Sequence, residues 1–336
     1  MCSTIVLGRG THRALAFNYD YPLDHGLIGT NLRGVHKASE PPPGQAVTRW
    51  QVSHGNVTLC SFSLELPTCG INERGLCVAL MWHEEGAFGS DASLPRLNPL
   101  QWIQYALDCH ATVDEVIADL SRVQPRDDGV PLHFTILDAG GDCALIEFIA
   151  GEPRITRNPT FPAMTNSTYE YCLDAVSSDE VPDDATATSS LGRFETLHRL
   201  YTGSDHPADS AAAFALLRAA NQGAGEDPSF PWSEPERRTR TVWSVLFEPH
   251  AGRIVFHTIR NPELREVRLD SLDLSERGTY QTLDIHEGVA DIGGALQPYR
   301  IAENQRILRA SAAVLGMPDD VLDEIARVVH RMYGAD

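Results

Sequence analysis

The 336-residue chain is poor in several things, and each shortage excludes a class of protein. Positive charge is scarce: 27 lysines and arginines stand against 46 aspartates and glutamates, a net charge of −19. Such a balance argues against a nucleic-acid partner, which needs a cationic surface for phosphates. It argues equally against docking on anionic membranes. Lysine is almost absent, with Lys37 alone, which reads as coding bias rather than mechanism. No apolar run approaches the roughly 18 residues of a spanning helix. The start, MCSTIVLGRG, lacks the cationic and apolar pattern of a secretory signal, so a cytoplasmic protein is expected. No C-x-x-C occurs, which excludes zinc-ribbon and thioredoxin-type sites, and the 13 histidines form no metal-binding motif, so neither metal nor cofactor is expected. Internal repeats and low-complexity blocks are also missing.

What is present is a strand-rich first half. Ser3–Leu7 and Arg13–Asn18 flank Gly8-Arg9-Gly10 and predict a hairpin over 3–18. Glu40-Pro41-Pro42-Pro43-Gly44 predicts a loop. Val47–Ser53 and Val57–Glu65, around His54-Gly55-Asn56, predict a second hairpin. Gly75–Trp82 is nearly all apolar, as for a strand buried on both faces. The period then turns helical. Asn98-Pro99 reads as a cap and first-turn proline, and Thr112 with Glu115 as a capping box. Strands return at 132–137, 144–149, 160–167, 240–248 and 252–260, with helices near 189–202 and 209–220. Segment 173–188 reads as a mobile loop and 222–237 as a polar one. Two helices close the chain from about 298, the second from Pro318. Helices between two groups of hairpin-linked strands suit layered sheets with outer helices.

Seven cysteines make no secreted disulfide framework. One, Cys2, follows Met1 directly. If Met1 is removed, the chain begins with a thiol and an α-amine of pKa near 7.7–8.0 on one residue. That amine can serve as base for its own thiol, so no catalytic histidine is needed. A β-rich segment behind Cys2 holds the terminus in a sheet, and the returning strand brings Asp20 close to it. Asp20 also reads as an ordinary turn cap before Pro22, and Cys2 as a bystander.

Met1-Cys2-Ser3-Thr4 with Asn18-Tyr19-Asp20-Tyr21 resembles the choloylglycine hydrolase and penicillin V acylase family of N-terminal-nucleophile hydrolases. Gly70-Ile71-Asn72-Glu73-Arg74-Gly75-Leu76, Asn98–Tyr105, Thr112–Val116, Leu132-His133-Phe134, Ile146-Glu147-Phe148, Thr165-Asn166-Ser167 and Arg240-Thr241-Val242-Trp243-Ser244 follow in the family's order over roughly 1–270. The resemblance implies an α+β fold, a four-layer αββα sandwich of two antiparallel sheets, as a single domain over 1–336 with the helical tail. It implies hydrolysis of a linear N-acyl amide, a small molecule, through a Cys2 thioester. Asp20 would orient the amine. Asn166 and the Trp82 backbone N–H would bind the oxyanion, and Arg240 would support charge at the thiol. Phe17, Met81, Trp82 and His83 would shape the substrate site, and a homodimer or homotetramer is implied. Asn72 reads as a structural turn residue; His83, His110 and His133 read as satisfied by local hydrogen bonds.

One position departs from the pattern. The residue before Asn18-Tyr19-Asp20 is usually basic in the family, beside the nucleophile, and here it is Phe17. Arg13 and Arg240 are the candidates to compensate. The loss of that cation fits a specialised member acting on an apolar substrate, an acyltransferase or cyclase of secondary metabolism using the same acyl-enzyme, or a non-catalytic binding protein on this fold.

Overall fold

The structure is a computed structural model that describes residues 2–39, 46–83, 85–89, 94–127, 130–178, 188–203, 209–221 and 239–315. The expected loops at 40–44 and 222–237 and the helix from Pro318 lie outside the described residues.

Two large sheets face each other. The first has seven strands in the order Ala163–Met164, Cys2–Leu7, Ala14–Tyr21, Arg240–Glu248, Arg253–Thr258, Arg265–Arg268 and Ala290–Asp291. Its pairings are antiparallel except the last. The second has nine antiparallel strands: Glu152–Arg157, Cys143–Ile149, Leu132–Leu137, Cys77–Trp82, Cys69–Asn72, Asn56–Cys60, Leu27–Asn31, Gln281–Asp284 and Gln297–Pro298. Helices α1 (Pro99–Cys109) and α2 (Val113–Asp119) precede strand Leu132–Leu137. Helices α3 (Tyr169–Ser177), α4 (Ser190–Thr202) and α5 (Ser210–Ala219) lie between strands Ala163–Met164 and Arg240–Glu248, and α6 (Ile301–Leu315) comes last. Helix α1 packs on the second sheet, and α4 and α5 on the first. The expected αββα layering is therefore the observed one.

Period-two alternation explains how strand Ala14–Tyr21 serves two layers at once. Phe17, Tyr19 and Tyr21 fill the space between the sheets, where Tyr19 stacks on Trp243 at 4.5 Å. Ala14, Ala16, Asn18 and Asp20 turn toward the helices. Small and polar residues suit that face: Asn18 Nδ2 donates to the Leu217 carbonyl of α5 at 2.8 Å, and Ser244 Oγ donates to Asn18 Oδ1 at 2.6 Å. Across the sheets, Thr4 Oγ1 meets Thr135 Oγ1 at 2.7 Å.

Local signals account for most boundaries. The 3–18 hairpin forms, extended to Cys2–Leu7 and Ala14–Tyr21. Asn98 caps α1 by accepting from Leu100 N–H at 2.9 Å. Thr112 caps α2, but the capping box is modified: Glu115 takes the N–H of Ala111, one residue before the cap. The 160–167 strand shrinks to Ala163–Met164, and residues 173–177 are helix rather than loop, because Thr168 caps α3 and the helix buries Tyr169 and Cys172.

The hairpin predicted over 47–65 does not form. Arg49–Gln51 pairs with His36–Ala38, whereas Asn56–Cys60 enters the large sheet. The intervening backbone is held elsewhere. Ser53 and His54 donate to the Asp108 carbonyl at the end of α1, and Gly55 donates to the Glu73 carboxylate. A Cβ on Gly55 would lie 2.5 Å from Leu274, so the segment is a close passage rather than a turn. The tail helix α6 docks on the second sheet, where Asn304 Oδ1 accepts from Leu64 N–H and Ser311 Oγ donates to the Ser61 carbonyl.

Candidate active site

The hairpin pairs Cys2 with Tyr19, which sets the first strand's end beside Asp20. Cys2 is 2% exposed. Its N–H donates to Asn166 Oδ1 at 3.1 Å. Burial pushes its thiol up to about 11. The chain's amino group opposes that rise, the Asp20 carboxylate adds to it, and a hydrogen bond from the Asp20 backbone and the charge of Arg193 oppose it.

Asp20 is fully buried. Thr241 Oγ1, from the neighbouring strand, donates to its Oδ1 at 2.5 Å, and Arg193 Nη1 lies 3.6 Å from its Oδ2. Burial raises its acid pKa, against the Arg193 charge, the amino group and the Thr241 hydrogen bond.

Asn166 sits just beyond strand Ala163–Met164. Its Oδ1 accepts from Cys2 N–H and from Arg193 Nη2, the latter at 2.5 Å, while its Nδ2 donates to the Trp82 carbonyl at 2.7 Å. The first turn of α4 fixes this segment: Ser190 Oγ accepts from the N–H groups of Asn166 and Ser167, both at 2.8 Å. His83 N–H bonds the Pro131 carbonyl at 3.0 Å, so antiparallel alternation turns the Trp82 N–H away from strand Leu132–Leu137.

The structure thus brings Cys2, Asp20, Asn166 and the Trp82 backbone together. The two candidate cations have their hydrogen-bond and ion-pair partners elsewhere. Arg240 is 40% exposed and pairs with Asp24 at 3.2 Å. Arg13 donates to the Gly141 carbonyl and Asn158 Oδ1, both at 2.9 Å. Phe17 is buried on the same strand face as Tyr19, opposite Thr4. Met81 is buried with its Sδ 3.3 Å from Thr4 Oγ1. Asn72 is the turn residue expected, accepting from Arg74 and Leu76 and donating to the Leu107 and His110 carbonyls.

Of the three histidines, His110 reaches Asp119 at 3.3 Å and His133 Nε2 reaches the Thr165 carbonyl at 2.7 Å. His83 is the exception. Neither ring nitrogen has a hydrogen bond among the described residues; the ring stacks on His133 at 4.5 Å and 9°. Burial and then His133 drive its pKa down to about 3. His83, His133 and Glu147 offer metal-ligand atoms within 4.8 Å of one another. A metal lies in the plane of each imidazole that binds it, and two nearly parallel planes share no such point, so the pair does not chelate one ion as arranged. An open apolar hollow of about 450 Å³, lined by Phe161, Tyr169, Leu173, His198 and Tyr201 among others, includes none of the Cys2 cluster.

Sequence reading missed Arg193, Ser190 and Thr241. The signal for the first was available: Ser190, Arg193 and Leu197 share one line of α4, and an arginine on a buried helix face requires partners.

Residues 57–191 match the model of the linear amide C–N hydrolases, choloylglycine hydrolase family. Over those residues the chain is similar to that family. It is 25% identical to a penicillin V acylase of Pectobacterium atrosepticum over 273 residues, 70% of this chain and 71% of that one. The fold agrees. Penicillin V acylase from Agrobacterium tumefaciens superimposes with a TM-score of 0.73 at 22% identity, covering 89% of this chain and 98% of that one. A mutant conjugated bile acid hydrolase from Clostridium perfringens gives 0.69 at 14% identity, covering 87% and 98%. The resemblance to that family and the αββα fold stand as the sequence motifs implied. Among the described residues no helix is long and apolar enough to cross a membrane.

Proposed function

We propose that the chain is a cysteine N-terminal-nucleophile amidohydrolase that cleaves a small linear N-acyl amide through a thioester on Cys2. The observation that carries this reading is the end of strand Cys2–Leu7. The residue after Met1 is a cysteine, buried, with its N–H on Asn166 and Asp20 beside it.

Removal of Met1 converts the Cys2 N–H into an amine that keeps Asn166 Oδ1 as its acceptor. The amine takes the thiol proton, and the sulfur attacks the amide carbonyl carbon. The carbonyl oxygen gathers negative charge, met by the second N–H of Asn166 Nδ2 and by the Trp82 backbone N–H. Each such donor is worth about 2.7–4 kcal/mol in the transition state. The C–N bond then breaks, and the leaving amine takes the proton held by the Cys2 amine. Water adds to the thioester, the C–S bond breaks, and the acid and the free thiol are released. Asp20 holds the amine in place and favours its protonated form after the first transfer.

Phe17 and Met81 lie against Thr4, two residues from Cys2, and Trp82 against Asn166; these apolar side chains suit an apolar or aromatic acyl group. The test is intact mass of the purified protein, followed by a panel of N-acyl amides on wild type and Cys2→Ala. Loss of Met1 and turnover abolished by Cys2→Ala are expected. Retained Met1, or turnover surviving that substitution, overturns the assignment.

A further inference from the structure

We infer that Arg193 is a positioning residue of the Cys2 centre: the cation that reaches the nucleophile from the helix layer, where strand Ala14–Tyr21 offers only Phe17. The inference rests on the reading of Cys2 as nucleophile and adds a residue that the motifs do not contain.

Arg193 is fully buried in α4. A buried guanidinium persists only where its donors are used. Here they converge on the ends of separate chain segments. Nη1 donates to the Cys2 carbonyl at 2.6 Å and to Ser3 Oγ at 2.5 Å. Nη2 donates to Asn166 Oδ1 at 2.5 Å, and Nε to the Thr188 carbonyl at 3.2 Å. Nη1 also faces Asp20 Oδ2 at 3.6 Å. One rigid fork therefore fixes the nucleophile's backbone, the oxyanion donor and the acid that holds the amine.

Two consequences follow. First, Asn166 receives donors from both Arg193 and Cys2 N–H, so the atom they share must be the amide oxygen. The amide nitrogen is left facing Trp82, the side on which the oxyanion forms. Second, the positive charge favours the ionised forms of Asp20 and of the Cys2 thiol. The other titratable groups acting on that thiol are the chain's amino group and Asp20 of the paired strand, while Tyr19 of that strand and Cys69 of the facing sheet are themselves pushed up by its charge. The positive charge of Arg193 comes from the face of the strand opposite Phe17, so an apolar substrate surface and a cation coexist at one nucleophile.

The test measures the rate of Cys2 alkylation by iodoacetamide against pH, by peptide mass, in wild type, Arg193→Gln and Arg193→Lys, each checked for Met1 removal and folding. It is paired with kcat and KM on an N-acyl amide. Arg193→Gln is expected to move the alkylation midpoint up by about one pH unit or more. It is expected to lower kcat at least about tenfold while KM changes little. Arg193→Lys, which keeps the charge and loses the fork, is expected to restore the midpoint but not the full kcat. A folded Arg193→Gln with the wild-type midpoint and kcat overturns the inference. If that variant does not fold, Arg193→Lys decides: full wild-type kcat overturns it. A wild-type chain that keeps Met1, or whose Cys2 is not alkylated, overturns the hydrolase reading itself.

Discussion

Lys37 and Arg193 are both cations buried in the polar interior, and they do different things. Lys37, the chain's one lysine, pairs with Asp108 at 3.1 Å with neither side chain exposed. Trp50 Nε1, Asn56 Nδ2 and Gln104 Nε2 complete the shell of Asp108 at 2.8–2.9 Å. That network is a structural one: it ties the small 36–51 strand pair to α1 and holds none of the Cys2 cluster. Arg193 is equally buried, but it holds the Cys2 carbonyl, the Asn166 amide and the Asp20 carboxylate, the groups of the proposed site. A buried ion pair says little about function. The atoms that the cation grips say much more.

The largest expected effect sharpens this contrast from the structural side. Lys37→Met leaves Asp108 buried without its cation and should cost about 3–5 kcal/mol of stability. Urea unfolding would read this, with alkylation of Cys2 in the folded protein unchanged. Loss of Cys2 reactivity together with stability would break the distinction. Next, Asn166→Ala should lower kcat by about 10²–10³-fold through the lost oxyanion donor. A fall confined to KM would assign Asn166 to substrate binding instead.

A smaller effect concerns the stacked histidines beneath Thr165. The folded pKa of His83, about 3, lies below its unfolded value. Its neutral form therefore supports stability fully above pH about 6.5, and that support fades as pH falls toward 3, by about 1.4 kcal/mol per unit. Relative to wild type, His83→Gln should flatten the stability profile across that window, and parallel profiles would contradict it. Smallest is Arg240→Gln. Its partner Asp24 is also held by Arg260, and the pair is partly exposed, so both stability and kcat should change by less than about 1 kcal/mol. A large loss of kcat would return Arg240 to the site.

How much of this was legible in the sequence depends on the range of the interactions. The Cys2–Tyr21 hairpin, the Asn98 cap and the Thr112 cap rest on neighbours a few residues apart, and each formed. The failed hairpin at 47–65 had the right turn chemistry. However, its backbone donors are claimed by Asp108 and Glu73, which no local pattern reveals. The site divides in the same way. Asp20 was placed beside Cys2 by strand pairing, and Asn166 by its motif. Arg193 lies 191 residues from the carbonyl it binds, and only its awkward position on the buried face of α4 hinted at a partner.

The most direct test of the account is intact mass before and after reaction of the wild-type protein with a slowly hydrolysed N-acyl amide. The account predicts a chain that begins at Cys2 and gains one acyl group, with the adduct on the Cys2 peptide and absent in Cys2→Ala. A chain that retains Met1, or an adduct on another residue, would contradict it.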